Sequence, residues 1–409
     1  MDEVLDYPTH SADMEYSVFE GGRVFDCDHH LYETADAFTR YLPEEHKGVV
    51  QLVEVKGRTK LALRGRISGY IPNPTFEVVA APGSGMEYFA GKNTEGKSFR
   101  EIVTPMGAIP EFTDKDARIG LLDRMHIDAT LNFPTLASVI EVNFMDDPEL
   151  TQTLIHAFNQ WLFDEWGFNY QNRIFSTPVM NLSTVEGAIA ELEWALERDA
   201  KVILMRPAPV AGWKASRSPF LPEFDPFWAR VQESGVLFCV HASDSGYQRY
   251  ANDWLGRGDA EFLAFEPDAF SLTSTNNRAI MDTVISAVTH GMLSRFPNIN
   301  MATVELGSTW LPRVVQDLEL TYKKVPQQFP EHPRDILQRQ LYVAPFWEDP
   351  LPPVIDILGL DHVLFSSDWP HPEGLADPVG YQRFARKEGL DDASIARIMG
   401  ANMFDLMGV

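Results

Sequence analysis

From Lys115 to its end the chain alternates short apolar runs with segments of helical periodicity, and this rhythm restricts the fold more than any other feature. The runs are ATLNFPT (129–135), IFSTPVMNL (174–182), VILMRP (202–207), VLFCVH (236–241), INMATVELG (299–307), LYVAPF (341–346) and HVLFSSDWP (362–370). Together with residues 23–28 they make eight strand candidates, each rich in β-branched or aromatic residues, as strands covered on both faces should be. The segments between them read as helices. Asp147-Pro148 supplies a cap and a first-turn proline, Leu150, Leu154, Ile155, Phe158, Trp161 and Leu162 form one stripe, and Gly167 ends it. Ser183 and Glu186 predict a capping box for the next helix. Further helices are expected near 223–234 and 277–290, after 307 and at 351–358. Strand–helix alternation implies a parallel sheet. Eight units predict an α/β fold of the (β/α)8 TIM-like barrel type, with a doubly wound open sheet as the alternative. Polar residues at several strand carboxyl ends favour the barrel.

The domain organisation expected is an N-terminal arm over 1–22 and a single barrel domain over 23–409, interrupted after strand 1 by an insertion or cap at about 44–118. Within the insertion, LALRGRISGYIP reads as a β-hairpin and APGSGMEYFAGKNTEGKS as an exposed loop. The segment 242–277 after strand 5, with Tyr247, Arg249, Trp254, Phe262 and Phe265, is expected to act as a lid, or instead as an oligomer contact.

Composition excludes several classes of function. No apolar run approaches the ~18 residues that cross a bilayer. The N-terminus MDEVLDYPTH has no hydrophobic core of a secretory signal, so the cytoplasm is the expected location. Lys and Arg total 34 against 59 Asp and Glu, and 34 − 59 gives −25, which opposes a nucleic-acid or anionic-membrane partner. A small carboxylate substrate remains compatible, because local arginines decide that. Cys27 and Cys239 each lie in an apolar run and read as buried thiols rather than a disulfide.

The chemistry gathers first in RVFDCDHHLYE (23–33). Side chains alternate along a strand, so Asp28 and His30 share one face and His29 takes the other. The other strand ends supply Arg206, His241, Glu305 and Asp368. Singly each has a bland reading: a satisfied structural histidine, a turn-capping aspartate, a salt-bridged arginine. One divalent metal site explains them together. Two carboxylates and two imidazoles suit Zn2+ first, with Mn2+ or Fe2+ as alternatives. Asp368 could then take a proton from a water, and Arg206 could hold a substrate carboxylate. No phosphate loop, dinucleotide fingerprint or serine nucleophile elbow is present.

These residues sit in motifs similar to those of the amidohydrolase-related proteins grouped with aminocarboxymuconate-semialdehyde decarboxylase. DHHLYE resembles the family's opening motif, followed in order by FPT, MRP, VHASDSGY, RFPNI, SSDWPHPEG and GANMFDL. The resemblance spans about 23–409 apart from the insertion. It implies a (β/α)8 barrel with one divalent metal, held by Asp28, His30, His241 and Asp368. One departure stands out. The family's decarboxylases carry a histidine in the turn after strand 6, whereas this chain has ELGSTWLP with Glu305 near that place. Glu305, Asp368 and His371 are therefore the expected catalytic groups, and Arg206, Arg249 and Tyr247 the expected substrate contacts. His290 in THGM is a weaker substitute for the missing histidine. The activity implied is decarboxylation of a small cyclic or aromatic carboxylic acid. The alternative is hydrolysis of an amide, ester or lactone by a metal-bound water, and a ligand-binding barrel without turnover is a third reading. A homodimer is left open.

Overall fold

The computed structural model describes residues 14–409 except 71, 94, 213, 262 and 264–267, with the side chains of 138–140 also left aside. The predicted apolar runs form short strands that bury nearly every residue. These are β1 (Phe25–His30), then, after the strands of the insertion, β7 (Ala129–Phe133), β8 (Ile174–Ser176), β9 (Val202–Met205), β10 (Leu237–His241), β11 (Met301–Val304) and β12 (Leu341–Val343). Only Tyr342 among them is not fully covered, which accounts for the absence of polar–apolar alternation in their sequences.

All pairings among these strands are parallel. One sheet runs β1–β7–β8 and the other β9–β10–β11–β12. A parallel bridge joins Val179, just beyond β8, to Leu204 of β9. The eighth run contacts both remaining edges: Val363 pairs with Val343 of β12, and Trp369 with His29 of β1. The Cys27 amide donates to Phe365 O at 2.9 Å and the His30 amide to Trp369 O at 2.7 Å. Residues 363–369 are nonetheless no regular strand. The Ser367 amide donates to the Asp26 carboxylate at 2.9 Å instead of to a neighbouring strand, and Asp368 turns to φ 57°.

Helices cover the strands. The longest, Pro148–Trp166, starts where the Asp147 carboxylate accepts the Leu150 amide at 3.1 Å and ends at Gly167 with φ 70°. The helix Val185–Leu196 is capped by Thr184, whose hydroxyl accepts the Gly187 amide at 3.3 Å, and not by Ser183. The preceding turn claims Ser183, whose amide donates to the Asn181 side chain at 2.9 Å. Trp161, Trp166, Trp228, Trp310 and Tyr381 are fully buried in the core. Both cysteines are free and buried. Of the N-terminal arm, Ser17 donates to Asp377 and Val18 O accepts from Gln382, which lays the chain on the C-terminal segment. No helix among the described residues is long and apolar enough to cross a membrane.

The insertion has structure of its own. β2 (Val50–Val55), β3 (Arg58–Leu63) and β4 (Arg66–Ser68) form an antiparallel sheet, and β5 (Val78–Ala80) pairs with β6 (Pro105–Gly107). Leu63 faces Arg66, so Arg64-Gly65 is a two-residue turn with φ 49° and 74°, the hairpin expected from the sequence. The stretch read as an exposed loop differs. It holds a short helix at Met86–Phe89, a second follows the stretch directly at Phe99–Ile102, and the Phe99 ring lies 5.5 Å from both Tyr88 and Phe89. Apolar contact among these rings, with Met86 and Phe99 buried, orders a segment whose glycines suggest a loop.

Candidate active site

Strand carboxyl ends bring the titratable groups together. Asp28 and His30 project from the same face of β1, and His241 ends β10. Glu305 follows β11 and Asp368 lies near the end of the eighth run, both in the left-handed region at φ 54° and 57°. Holding a residue there costs about 1–2 kcal/mol, and it aims each carboxylate inward. The His241 Nε2 lies 3.1 Å from Glu305 Oε2 and 3.4 Å from Asp28 Oδ1. The His30 Nε2 lies 3.4 Å from Asp28 Oδ1, 3.4 Å from Glu305 Oε2 and 3.6 Å from Asp368 Oδ1. His371 joins through Nδ1, 2.7 Å from Asp368 Oδ1. The four expected ligands are thus brought to one place, and Glu305 stands among them, nearer to His241 than Asp28 is.

Other residues hold this cluster, and the sequence did not single out most of them. The His241 Nδ1–H donates to Ala242 O at 2.9 Å in the tautomer that leaves Nε2 free. The Thr135 hydroxyl lies 3.3 Å from His30 Nδ1, 3.4 Å from His371 Nε2 and 3.0 Å from Leu31 O. Glu33 accepts the amides of Thr135, Leu136 and Ala137 at 3.0, 2.7 and 3.2 Å, which fixes that turn. Beneath the site, the fully buried Arg118 donates to His30 O at 2.8 Å and lies over the Trp369 ring. Asp26 accepts the amides of Asp28 and Ser367, while His29 turns away to Asp26 Oδ2 at 3.1 Å.

The electrostatics are those of charge crowded into low dielectric. Burial favours neutral Asp28, but the facing imidazoles of His241 and His30 outweigh it and hold its carboxyl well below the usual range. Burial likewise opposes charge on His30, yet Asp28 and Glu305 raise it to about 9. Asp368 is pushed well above the usual range by burial and by Glu305 and Asp28. Burial and the Glu305 charge raise Glu373 to about 8. His371 is driven well below its usual value by burial and the charge on His30.

The donor set fits a divalent cation. His30 Nε2 and Asp368 Oδ2 are buried and make no well-formed hydrogen bond, a costly condition unless a further partner meets them. Asp28, His30, His241 and Glu305 each present one donor atom within 4.8 Å of the others, and His30, Glu305, Asp368 and His371 form an overlapping set. Ligands about 2.1 Å from a tetrahedral ion stand roughly 3.4 Å apart, the spacing of the imidazole–carboxylate pairs above.

Above the cluster lies a cavity of about 460 Å³, lined by His30, His241, Glu305, His371 and Glu373, and on its other side by the insertion. The expected substrate contacts lie elsewhere. Arg206 is buried, 3.3 Å from the Glu141 carboxylate and donating to Asp244 O at 2.9 Å. With Arg249 it lines a separate cavity of about 620 Å³. The Tyr247 hydroxyl donates to Asp282. Of the expected lid, Ala242 and Ser243 line the first cavity and 244–246 the second, while Phe262 and Phe265 lie outside the described residues. His290 bonds to the Ser286 hydroxyl on its own helix at 2.9 Å.

A parallel α/β fold that collects carboxylates and imidazoles at its strand ends, beneath a cavity, defines a class of metal-dependent enzyme. Comparison with known proteins gives the family. The family model described as amidohydrolase matches residues 25–402. An amidohydrolase from Mycobacterium avium subsp. paratuberculosis K-10 is similar over 94% of this chain and 99% of its own, with 36% identity and a TM-score of 0.89. The chain belongs to the amidohydrolase family, and it is a metal-dependent enzyme of that superfamily. Two further solved structures share the fold. One is a dihydroxybenzoic acid decarboxylase from Polaromonas sp. JS666 with bound manganese and 2-nitroresorcinol, at 17% identity over 80% of this chain and 94% of that one, TM-score 0.56. The other is a 5-carboxyvanillate decarboxylase from Novosphingobium aromaticivorans DSM 12444 with bound manganese, at 15% identity over 95% and 98%, TM-score 0.60. Among curated proteins, no sequence matches the chain.

Proposed function

We propose that the chain is a decarboxylase of a cyclic or aromatic carboxylic acid, working with one divalent metal at the mouth of a closed (β/α)8 barrel. The barrel reading rests on the circuit of pairings, which passes from β1 through β7–β12 and residues 363–369 back to β1. The observation that carries the function is the cluster of Asp28, His30, His241, Glu305 and Asp368 beneath a cavity whose insertion side is largely apolar. Asp28, His30, His241 and Asp368 would hold the ion, with Glu305 as a fifth donor. Zn2+ and Mn2+ both suit such O/N donors, and manganese is the ion bound in the two decarboxylases named above. When bound, the ion supplies a Lewis acid toward a substrate oxygen.

The chain's own groups manage protons and orientation. Loss of CO2 breaks a C–C bond and leaves an electron pair on carbon, which must receive a proton. His371 lines the cavity and lies 2.7 Å from Asp368; burial keeps its imidazole uncharged, so we assign it to relay that proton from solvent to the carbon rather than to store it. Thr135 fixes the rings of His30 and His371 relative to each other. The apolar walls disfavour the charge of a carboxylate, which favours its departure as neutral CO2.

Hydrolysis is the second reading, and Glu305 favours it. A carboxylate stands where resembling decarboxylases carry a histidine, and a carboxylate can take a proton from an attacking water. The metal-loaded protein should release CO2 from hydroxybenzoate-type or naphthoate-type acids and leave aryl esters and lactones intact. His371→Asn should lower the rate at least 100-fold. Ring-opened lactone without CO2 from any acid would overturn decarboxylation, and full activity in Glu305→Gln would remove Glu305 from acid–base chemistry.

A further inference from the structure

We infer that the insertion builds a specificity wall, and that the substrate is a carboxylic acid whose apolar body is larger than one aromatic ring: a fused bicyclic, biaryl or alkyl-extended acid. The inference rests on the reading that the cavity takes a carboxylic acid, and it adds which acid. Three observations carry it.

The first is size. About 150 Å³ of apolar cavity suffices for benzene. The space above the cluster is about 460 Å³, three times as large. A single-ring acid with its carboxylate at the cluster would leave most of that space to water against apolar walls.

The second is the distribution of lining chemistry. Acidic and imidazole groups lie only on the strand-end side, in His30, His241, Glu305, His371 and Glu373. The insertion side is Tyr70, Phe76, Val79, Phe89, Phe99 and Val103, with Asn73 and Arg100 among them. Arg100 is the one Lys or Arg among the described lining residues, and it is exposed, at the rim. With a cation held at the cluster to meet a carboxylate, a matching ligand carries its acid group at that end and is apolar through its length, with any second polar group at the rim.

The third is backbone conformation. Phe76 occupies the left-handed region at φ 53°, which a bulky side chain rarely adopts. That conformation lays its ring on Tyr32, with centroids 4.2 Å apart and planes within 7°. Tyr32 in turn approaches His371 at 6.1 Å, and His371 lies 4.0 Å from His30. One continuous aromatic surface thus runs from the cluster into the insertion, suited to a flat extended ligand.

The test is a ligand series on the full metal-loaded chain, measured both as binding by calorimetry and as CO2 release. The probes are 2-hydroxybenzoate, 1-hydroxy-2-naphthoate and a biphenylcarboxylate. The two larger acids should bind at least tenfold more tightly than 2-hydroxybenzoate. Val103→Trp, which narrows the wall, should cancel or reverse that order with metal content unchanged. Equal or tighter binding of 2-hydroxybenzoate by the unmodified chain overturns the wall, as does an order untouched in a Val103→Trp protein that retains its metal and melting profile. The two proposals fail separately. Preferential binding of the larger acids without CO2 release keeps the wall and removes decarboxylation, and CO2 release with no size preference does the reverse.

Discussion

Thr135 shows how much of this site depends on a residue with no chemistry of its own. Its hydroxyl sits between His30 Nδ1, His371 Nε2 and Leu31 O, and the turn that carries it is pinned by three amides donating to Glu33. Groups that orient metal-binding or proton-carrying imidazoles are commonly worth 10–100-fold in metal affinity or activity. Thr135→Val keeps the volume and removes the hydroxyl. It should lower kcat by roughly that factor with KM nearly unchanged, and a titration of the metal-free protein should show weaker metal uptake. Wild-type kcat in this variant would show that His30 and His371 are oriented without it. Asp28 and His30 were legible in the sequence because strand alternation alone puts them on one face, and His241 because an imidazole directly after three apolar residues needs a reason. Thr135 and Arg118 were not. Threonine in FPT and arginine in DARIGLL are ordinary residues until tertiary contact sets them against His30. Arg206 shows the converse: its strand-end position matches a substrate contact, and the structure adds an ion pair with Glu141 that sequence distance hides.

At the scale of elements, apolar content marked the strands well, and seven of the eight runs contain regular strand. The eighth defeats that reading for a local reason: its SSD segment gives an amide to Asp26 and turns at Asp368. The function of this run is thereby served at the expense of its regularity. The insertion was the least legible region, since its short strands and helices follow no single period. Its connection to the segment after β10 was equally hidden. The Glu261 carboxylate accepts the Ser68 hydroxyl and the Gly69 amide, each at 2.6 Å, clasping the end of β4 to the segment beyond the helix Gln248–Leu255. Charge-assisted bonds of this kind contribute about 1.5–3 kcal/mol. Glu261→Ala should speed hydrogen exchange at residues 66–70 by one to two orders of magnitude and leave the Pro148–Trp166 helix unchanged. Unchanged protection at Gly69 would mean that the clasp does not hold the two segments together.

Across the whole molecule, a chain already at −25 gathers Asp28, Glu305, Asp368 and Glu373 near one point. Without a cation these carboxylates repel one another in a medium that screens poorly. An ion bound only by the folded state adds about 2.7 kcal/mol when present at 100 times its Kd. Chelation should therefore lower the melting temperature by several degrees, and Zn2+ or Mn2+ should restore it. Asp28→Ala should melt at a temperature indifferent to either ion. A wild-type melting temperature that ignores chelation, in protein shown to have lost its metal, would argue against the cluster as the site.

The wall formed by Phe76, Phe89, Phe99 and Val103 belongs to a stretch of chain that contributes none of the clustered metal-binding groups. On the reading proposed above, the apolar wall and the metal-binding groups are encoded in separate tracts of the gene, with Tyr32 joining the two. Lineages carrying this scaffold can exchange one acid for another by rewriting residues 70–103, without passing through intermediates that have lost the catalyst. For the same reason, grafting that tract onto a relative is a direct route to transferring its preference.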